Sequence, residues 1–278
     1  MEINISSPRS PYLVFTSAGR WANIEQWITK DRQWDLFLCN YGKQRHPQAA
    51  HADYYCDRQG GKFPNLYHAW QENPELFRQY DAVLVLDDDV IFPDENIHTL
   101  FHYLKKYQLW CLQPAFSPAG KISHRLTGVR SLRKLTYTNF VEVCAPLIRT
   151  DKLEAFFQVY DPKLVGWGVD LWLMHFLQYP KNKVAVIHDV VCINPEDEIK
   201  GGSREIERLQ CQQKRIECWN TVKREHNIPD QPLKEFCTVW QMPTPVNIWR
   251  ALVIFFERKY LRHWGKNSRR ARTRTGLA

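Results

Sequence analysis

No acidic residue follows Glu257, although Lys266, Arg269, Arg270, Arg272 and Arg274 all do, so much of the formal net charge of +8 belongs to a C-terminal tail. No run approaches the roughly 18 apolar residues that a membrane span requires. The opening "MEINISSPRSPYLVF" lacks the basic start, apolar middle and small-residue cleavage site of a secretory signal. The eight cysteines are scattered singly without a C-x-x-C, which reads as small hydrophobes in a reducing compartment. The expected location is therefore cytoplasmic. There is no Walker A pattern, no G-x-S-x-G and no zinc-spaced Cys/His set, so phosphate-loop nucleotide hydrolysis and triad hydrolysis have no support. Internal repeats are absent, and low complexity is confined to the tail.

What is present is a chain of 278 residues, 44% hydrophobic and 13% aromatic, long enough to bury a sizeable core. Apolar runs at 11–17, 34–40, 81–89, 109–116, 139–148 and 183–194 read as strands. Segments 18–30, 63–80, 96–108, 150–160 and 166–179 read as helices, and 41–61 as a long polar loop. Strands alternating with helices predict an α/β fold, a mostly parallel sheet with helices on both faces. A charged helix over 201–227, capped by Ser203 and stopped by "NIPD", is expected to pack on it. From Pro245 to Gly265, Trp249, Leu252, Val253, Phe256, Tyr260 and Trp264 recur on one helical face. The expected division is a nucleotide-sugar-binding and catalytic domain over 1–200, a helical extension over 201–244, and an amphipathic helix with a basic tail over 245–278.

The stretch "VLVLDDDV" ends an apolar strand in three aspartates. Side chains alternate along a strand, so Asp87 and Asp89 converge on one side while Asp88 points away. Two hard oxygen donors suit Mg²⁺ or Mn²⁺, which take one or two carboxylates and complete their shell with water and phosphates; the plainer alternative is a solvated acidic turn. In "GWGVDLW", Gly166 and Gly168 permit close backbone approach, Trp167 offers a flat apolar face, and Asp170 begins a helix. Asp170 serves as a base toward a hydroxyl or merely as a cap. Glu142 is a charge inside an apolar strand, aimed into a cleft or paired with an arginine. Lys62, after Gly60 and Gly61, meets a phosphate or is simply solvated.

Eight motifs in order, "YLVFTSAG", "WDLFLCNYG", "GGKF", "VLVLDDDV", "LQPAF", "FVEVCAPLI", "GWGVDLWL" and "VAVIHDVVCIN", resemble the domain family known in plants as "lysine-ketoglutarate reductase trans-splicing related". The likeness covers roughly Pro11 to Gly202. That family in turn resembles glycosyltransferases of the GT-A fold. The resemblance implies a nucleotide-diphosphate-sugar donor, a divalent cation bridging its phosphates to Asp87 and Asp89, and a glycan or lipid-linked acceptor. It implies Asp170 and Glu142 as catalytic acids, with Gly166, Trp167 and Gly168 against the acceptor. Thr16, Ser17, Gly19 and Arg20, with Tyr41 and Asp88, would line the base and ribose, and Lys62 the pyrophosphate. Where the last strand is expected to run into a metal-binding histidine, this sequence has Asn194, with His188 earlier in the strand; either residue could ligate, or neither.

Two other functions are consistent with the sequence. One is a non-catalytic module that keeps the fold and the sugar nucleotide, for which Asn194 is the argument. The other, ranked low, is nucleic-acid binding through the basic tail, which no recognised motif accompanies. The apolar helix and tail also fit an anionic membrane surface, making the protein peripheral, or a helix docked on its own core.

Overall fold

The computed structural model describes residues 1–19, 22–196 and 205–256. The expected cap Ser203, the site candidate Arg20, and the basic tail with Tyr260 and Trp264 lie outside these residues. Ten strands form one sheet: β1 (Glu2–Ile3), β2 (Tyr12–Ala18), β3 (Asp35–Asn40), β4 (Tyr54–Asp57), β5 (Ala82–Val85), β6 (Cys111–Phe116), β7 (Arg133–Thr138), β8 (Leu147–Arg149), β9 (Val184–Cys192) and β10 (Glu235–Trp240). Their spatial order is β1-β4-β3-β2-β5-β8-β6-β9-β7-β10. The helices are α1 (Lys62–Glu72), α2 (Pro74–Phe77), α3 (Asp94–Lys106), α4 (Thr150–Phe157), α5 (Val169–Phe176), α6 (Glu205–Leu209) and α7 (Gln212–Glu225), with a further helix over 245–256.

Alternation along the central strands makes the layers. Phe15, Phe37, Val83 and Val85 point to one face and bury Phe63 and Leu66 of α1, Phe156 of α4 and Trp172 of α5. Val14, Leu36, Leu38 and Leu84 point to the other, against Trp27, Trp34 and the α3 residues Ile97, Leu100 and Phe101. The helix α3 begins with Asp94 and Glu95 and ends with Lys105 and Lys106, charges that complement its dipole.

The α/β class with helices on both faces is as expected. The parallel rhythm holds in β4-β3-β2-β5 and in β6-β9, while β8, β7, β10 and β1 pair antiparallel, so the sheet is mixed. The source of the difference is β8, which enters between β5 and β6 and runs against both. The extension is also not purely helical: after α7, β10 returns to pair with β7 at the sheet edge.

Three further expectations are corrected. In the segment over 18–30, only a single 3-10 turn, Ile24–Gln26, forms among the described residues. Asn23 donates to the carbonyls of Asp88 and Asp89, and the Trp27 indole donates to that of Val90, so the segment is tied to the aspartate turn instead of to itself. The polar loop over 41–61 contains β4, whose Tyr54 and Tyr55 are buried while their neighbours Cys56 and Asp57 emerge. The strand expected over 139–148 is shortened to Leu147–Arg149, which leaves Glu142 in irregular backbone.

Candidate active site at the carboxyl ends of the strands

In open α/β sheets, ligands bind beyond the carboxyl ends of the strands. There the chain turns after β5, and the three aspartates take different partners. Asp87 lies on the α1 side, with Oδ1 2.6 Å from Lys62 Nζ. Asp88 points the other way, where its Oδ2 accepts from the Gly19 N–H at 2.9 Å and the Tyr41 hydroxyl at 3.0 Å. Because β5 ends at Val85, the three aspartates lie in the turn beyond the strand, where Asp87 and Asp88 point to different sides. The carbonyl of Asp89 accepts from Asn23 Nδ2 at 2.6 Å.

Lys62 stands at the start of α1 with most of its side chain buried. Besides Asp87 it donates to the carbonyls of Val85 at 3.1 Å, Val143 at 2.6 Å and Cys144 at 3.1 Å. Residues 144–146 still bond along β5, the Cys144 carbonyl accepting from the Asp87 N–H and the Pro146 carbonyl from the Val85 N–H, while the Val143 and Cys144 carbonyls also accept from the Lys62 ammonium. An internal ammonium thus offsets part of the repulsion among the aspartates.

Burial raises the Asp88 carboxyl to about 7, against the hydrogen bonds from Gly19 and Tyr41, and the neighbouring Asp89 and Asp87 charges add to the rise. Gly19 is required by this contact, because a Cβ there would lie 2.4 Å from Tyr41 Cε2. Thr16 and Ser17 are buried in β2, and the Ser17 hydroxyl accepts from Asn65 Nδ2 at 3.0 Å. These two positions are core positions as they stand.

Glu142 is buried. Its carboxylate accepts from the Thr127 hydroxyl at 2.5 Å, and its N–H donates to Gln113 Oε1 at 2.5 Å. Burial raises its carboxyl, with the Thr127 bond and the His124 charge opposing. The partner of the carboxylate is a hydroxyl, where an arginine is one of the two settings expected. Asp170, in the first turn of α5, is raised to about 7, chiefly by burial and further by the Glu142 charge, against bonds from the Leu171 and Val143 N–H groups. Cys144 is pushed well up by burial and then by the charges of Asp87 and Glu142. It therefore lies close enough to Asp87, Glu142 and Asp89 to feel their charges.

Gly168 precedes α5 with φ +96°, and a Cβ there would lie 2.5 Å from Trp219 Cε3. Gly168→Ala is expected to cost about 2 kcal/mol, combining a left-handed backbone with a collision. Urea unfolding measures this, and an unchanged midpoint would show that α7 moves aside. Trp167 beside it is 49% exposed and meets Trp219 edge-on, with ring centroids 6.3 Å apart. Gly166 packs under Ile206. The extension thus supports the loop that leads into α5 and Asp170.

His188 is placed differently from the aspartates. Its Nδ1 accepts from the Arg130 N–H at 3.2 Å and its Nε2 bonds Thr136 Oγ1 at 3.1 Å, so both ring nitrogens are turned toward β7 and the loop before it. Asn194 is buried with Nδ2 3.9 Å from Cys144 Sγ, and the Ile91–Ile193 bridge holds it beside the aspartate turn. Among the described residues, no group of three or more His, Cys, Asp or Glu is placed to hold a metal ion by itself.

Sequence reasoning missed Asn65, whose amide joins Ser17 to the carbonyls of Arg58 and Gly60 and accepts from Arg58. It also missed Thr127 and the nearness of Cys144 to Asp87 and Glu142. Nothing in the local sequence of these residues distinguishes them, because their partners come from distant segments.

No protein-family profile and no curated protein matches the chain. Among solved structures, S. aureus TarS 1-349 aligns with TM-score 0.41 and 13% identity over 66% of this chain. This chain spans 60% of the length of that one. Its complex with UDP aligns with TM-score 0.43 and 13% identity over 66% of this chain and 60% of that one. Its complex with UDP-GlcNAc aligns with TM-score 0.48 and 14% identity over 80% of this chain and 68% of that one. Likeness at this distance assigns no site and no substrate to this chain.

Proposed function

We propose that the chain is a GT-A-like glycosyltransferase, which moves a sugar from a nucleotide-diphosphate-sugar donor to a glycan or lipid-linked acceptor. The observation that carries this reading is the set of acids itself: Asp87, Asp88 and Asp89 beyond the carboxyl end of β5, Glu142 close enough to act on Cys144 beside them, and Asp170 close enough to feel Glu142. A carboxyl whose pKa lies near neutrality is suited to take a proton from an attacking hydroxyl, and Asp170 has that value. Trp167 would supply a flat face for a sugar ring, and Tyr41 with Gly19 would stand at the nucleotide side.

Asp87 and Asp89 offer the one or two carboxylates that Mg²⁺ or Mn²⁺ takes when phosphates complete its shell, and Asn194 adds a hard amide oxygen nearby. Such an ion would stabilise the charge of the departing nucleoside diphosphate. Lys62 is committed to Asp87 and three backbone carbonyls, so such an ion would share Asp87 with its ammonium.

Calorimetry with nucleoside diphosphates and their sugar esters, UDP and UDP-GlcNAc among them, with and without Mn²⁺, tests the reading. Mn²⁺-dependent binding of one donor is expected, weakened about tenfold or more by Asp87→Ala with Asp89→Ala, the loss typical of removing a coordinating group. Absence of binding by folded protein would leave the aspartates as a structural turn. A non-catalytic donor-binding module is the second reading, favoured by Asn194 where the resemblance leads one to expect a histidine. Donor binding without turnover on any acceptor would select it.

A further inference from the structure

The helix over 245–256 touches the sheet with a narrow stripe. Ile254 is its one buried side chain, packed with Ala115, Val129 and Val186, and Arg250 donates to the carbonyls of His188 and Asp189. The remaining arc carries Val246, Ile248, Trp249, Leu252, Phe255 and Phe256, all between 47% and 71% exposed. At 100° per residue these six fall within half a turn of the helix, opposite Arg250 and Ile254. Arg250 is the only charge in 245–256, and it is engaged with the sheet. A helix apolar on its docked and undocked sides alike is one designed to be covered twice.

The sequence beyond the helix indicates what provides the second cover. Arg258, Lys259, Arg262, Lys266, Arg269, Arg270, Arg272 and Arg274 follow without a single acid after Glu257. A second copy would cover the apolar arc but bring two cationic tails together. A nucleic acid would use the cations and leave the rings in water. An anionic bilayer uses both, taking an apolar arc into the headgroup and acyl boundary and drawing basic residues to its surface. No helix among the described residues is long and apolar enough to cross a membrane.

We propose that the 245–256 helix is an interfacial anchor that lies on an anionic lipid surface, with Trp249, Leu252, Phe255 and Phe256 facing the acyl chains and the basic tail on the headgroups. The full chain should be sedimented with vesicles of phosphatidylcholine alone and of equal parts phosphatidylcholine and phosphatidylglycerol. At low salt, binding to the anionic vesicles should exceed that to the neutral ones about tenfold or more and decline as salt rises. Trp249→Ser with Phe256→Ser should reduce it about tenfold. So should Arg269, Arg270, Arg272 and Arg274 all changed to Gln. Trp249 and Phe256 are exposed, and circular dichroism verifies that each variant folds.

Equal binding to both vesicle types, or full binding by the Trp249→Ser, Phe256→Ser protein, would overturn the proposal. So would a dimer in light scattering that those two changes dissolve, with no vesicle binding, since a second copy would then cover the arc. Tight RNA binding in place of vesicle binding would likewise overturn it. Nucleotide binding is not read in this assay, so its outcome is separate from that of the transferase reading.

Discussion

Lys62→Met is expected to lower the unfolding free energy by about 3 kcal/mol, because it removes one partner of a mostly buried pair and leaves the other behind. The methionine fills much of the volume but donates nothing, so Asp87 loses an ammonium at 2.6 Å and three backbone carbonyls lose a donor. Asp87 keeps 31% of its side-chain exposure, which places the loss at the lower end of the range for broken buried pairs. Urea denaturation measures it. Asp87→Asn in the same background should recover part of the loss, since the uncompensated charge is then gone while the carbonyls stay unsatisfied. A cost below about 1 kcal/mol for Lys62→Met would mean that the ammonium is solvated and its contacts contribute little.

At pH 8, Asp170→Asn is expected to be more stable than the wild type by about 2 kcal/mol, with roughly a third of that difference already present at pH 5 and none below about pH 4. The sign follows from a folded-state value of about 7 against the ordinary 3.8. Between those values the native carboxyl holds a proton that the unfolded chain has released, so wild-type stability falls as pH rises through the window. Above about 7 the buried group is ionised and the full penalty applies. An amide never ionises and escapes it. The ceiling of about 1.4 kcal/mol per pH unit is discounted because Asp170 retains some solvent contact. Unfolding midpoints at pH 5, 6, 7 and 8 for both proteins check the prediction, and parallel curves would show that Asp170 titrates normally. The same variant should lose turnover if Asp170 is the base, so stability gained and activity lost together would be the expected exchange at a functional acid.

Periodicity located what is local in this fold. The buried runs of β2, β3, β5, β6 and β9 and the apolar faces of α3 and α4 were legible because each needs only its own pattern and a core to face. The strand expected around Glu142 was not to be had from pattern, because its backbone groups bond to distant side chains: the Glu142 N–H to Gln113, and the Val143 and Cys144 carbonyls to Lys62, some eighty positions earlier. The helix expected after β2 yields to Asn23 and Trp27 binding the aspartate turn, again a contact between distant segments. Short edge strands such as β1 and β10 carry too few buried residues to mark themselves. His188 carried a ligand's chemistry in the sequence, and only the surrounding Arg130 and Thr136 show that its nitrogens are occupied.

The irregular pairing of β9 has a geometric consequence. On β6, Pro114 and Ala115 are consecutive, yet their partners are Ile187 and Val191, so His188, Asp189 and Val190 have no counterpart there. Two of the carbonyls released in this way, those of His188 and Asp189, receive Arg250. A regular strand would offer no such notch, and the C-terminal helix is therefore indexed to one place along β9. Asn194, beside the acidic cluster, follows His188 along the same segment, at most about 20 Å away at the rise of an extended chain. With the helix resting on lipid, β9 would act as a ruler that holds the chemistry at a set height above the membrane. Acceptors would then be sorted by how far their reacting hydroxyl projects from the bilayer as well as by which sugar carries it.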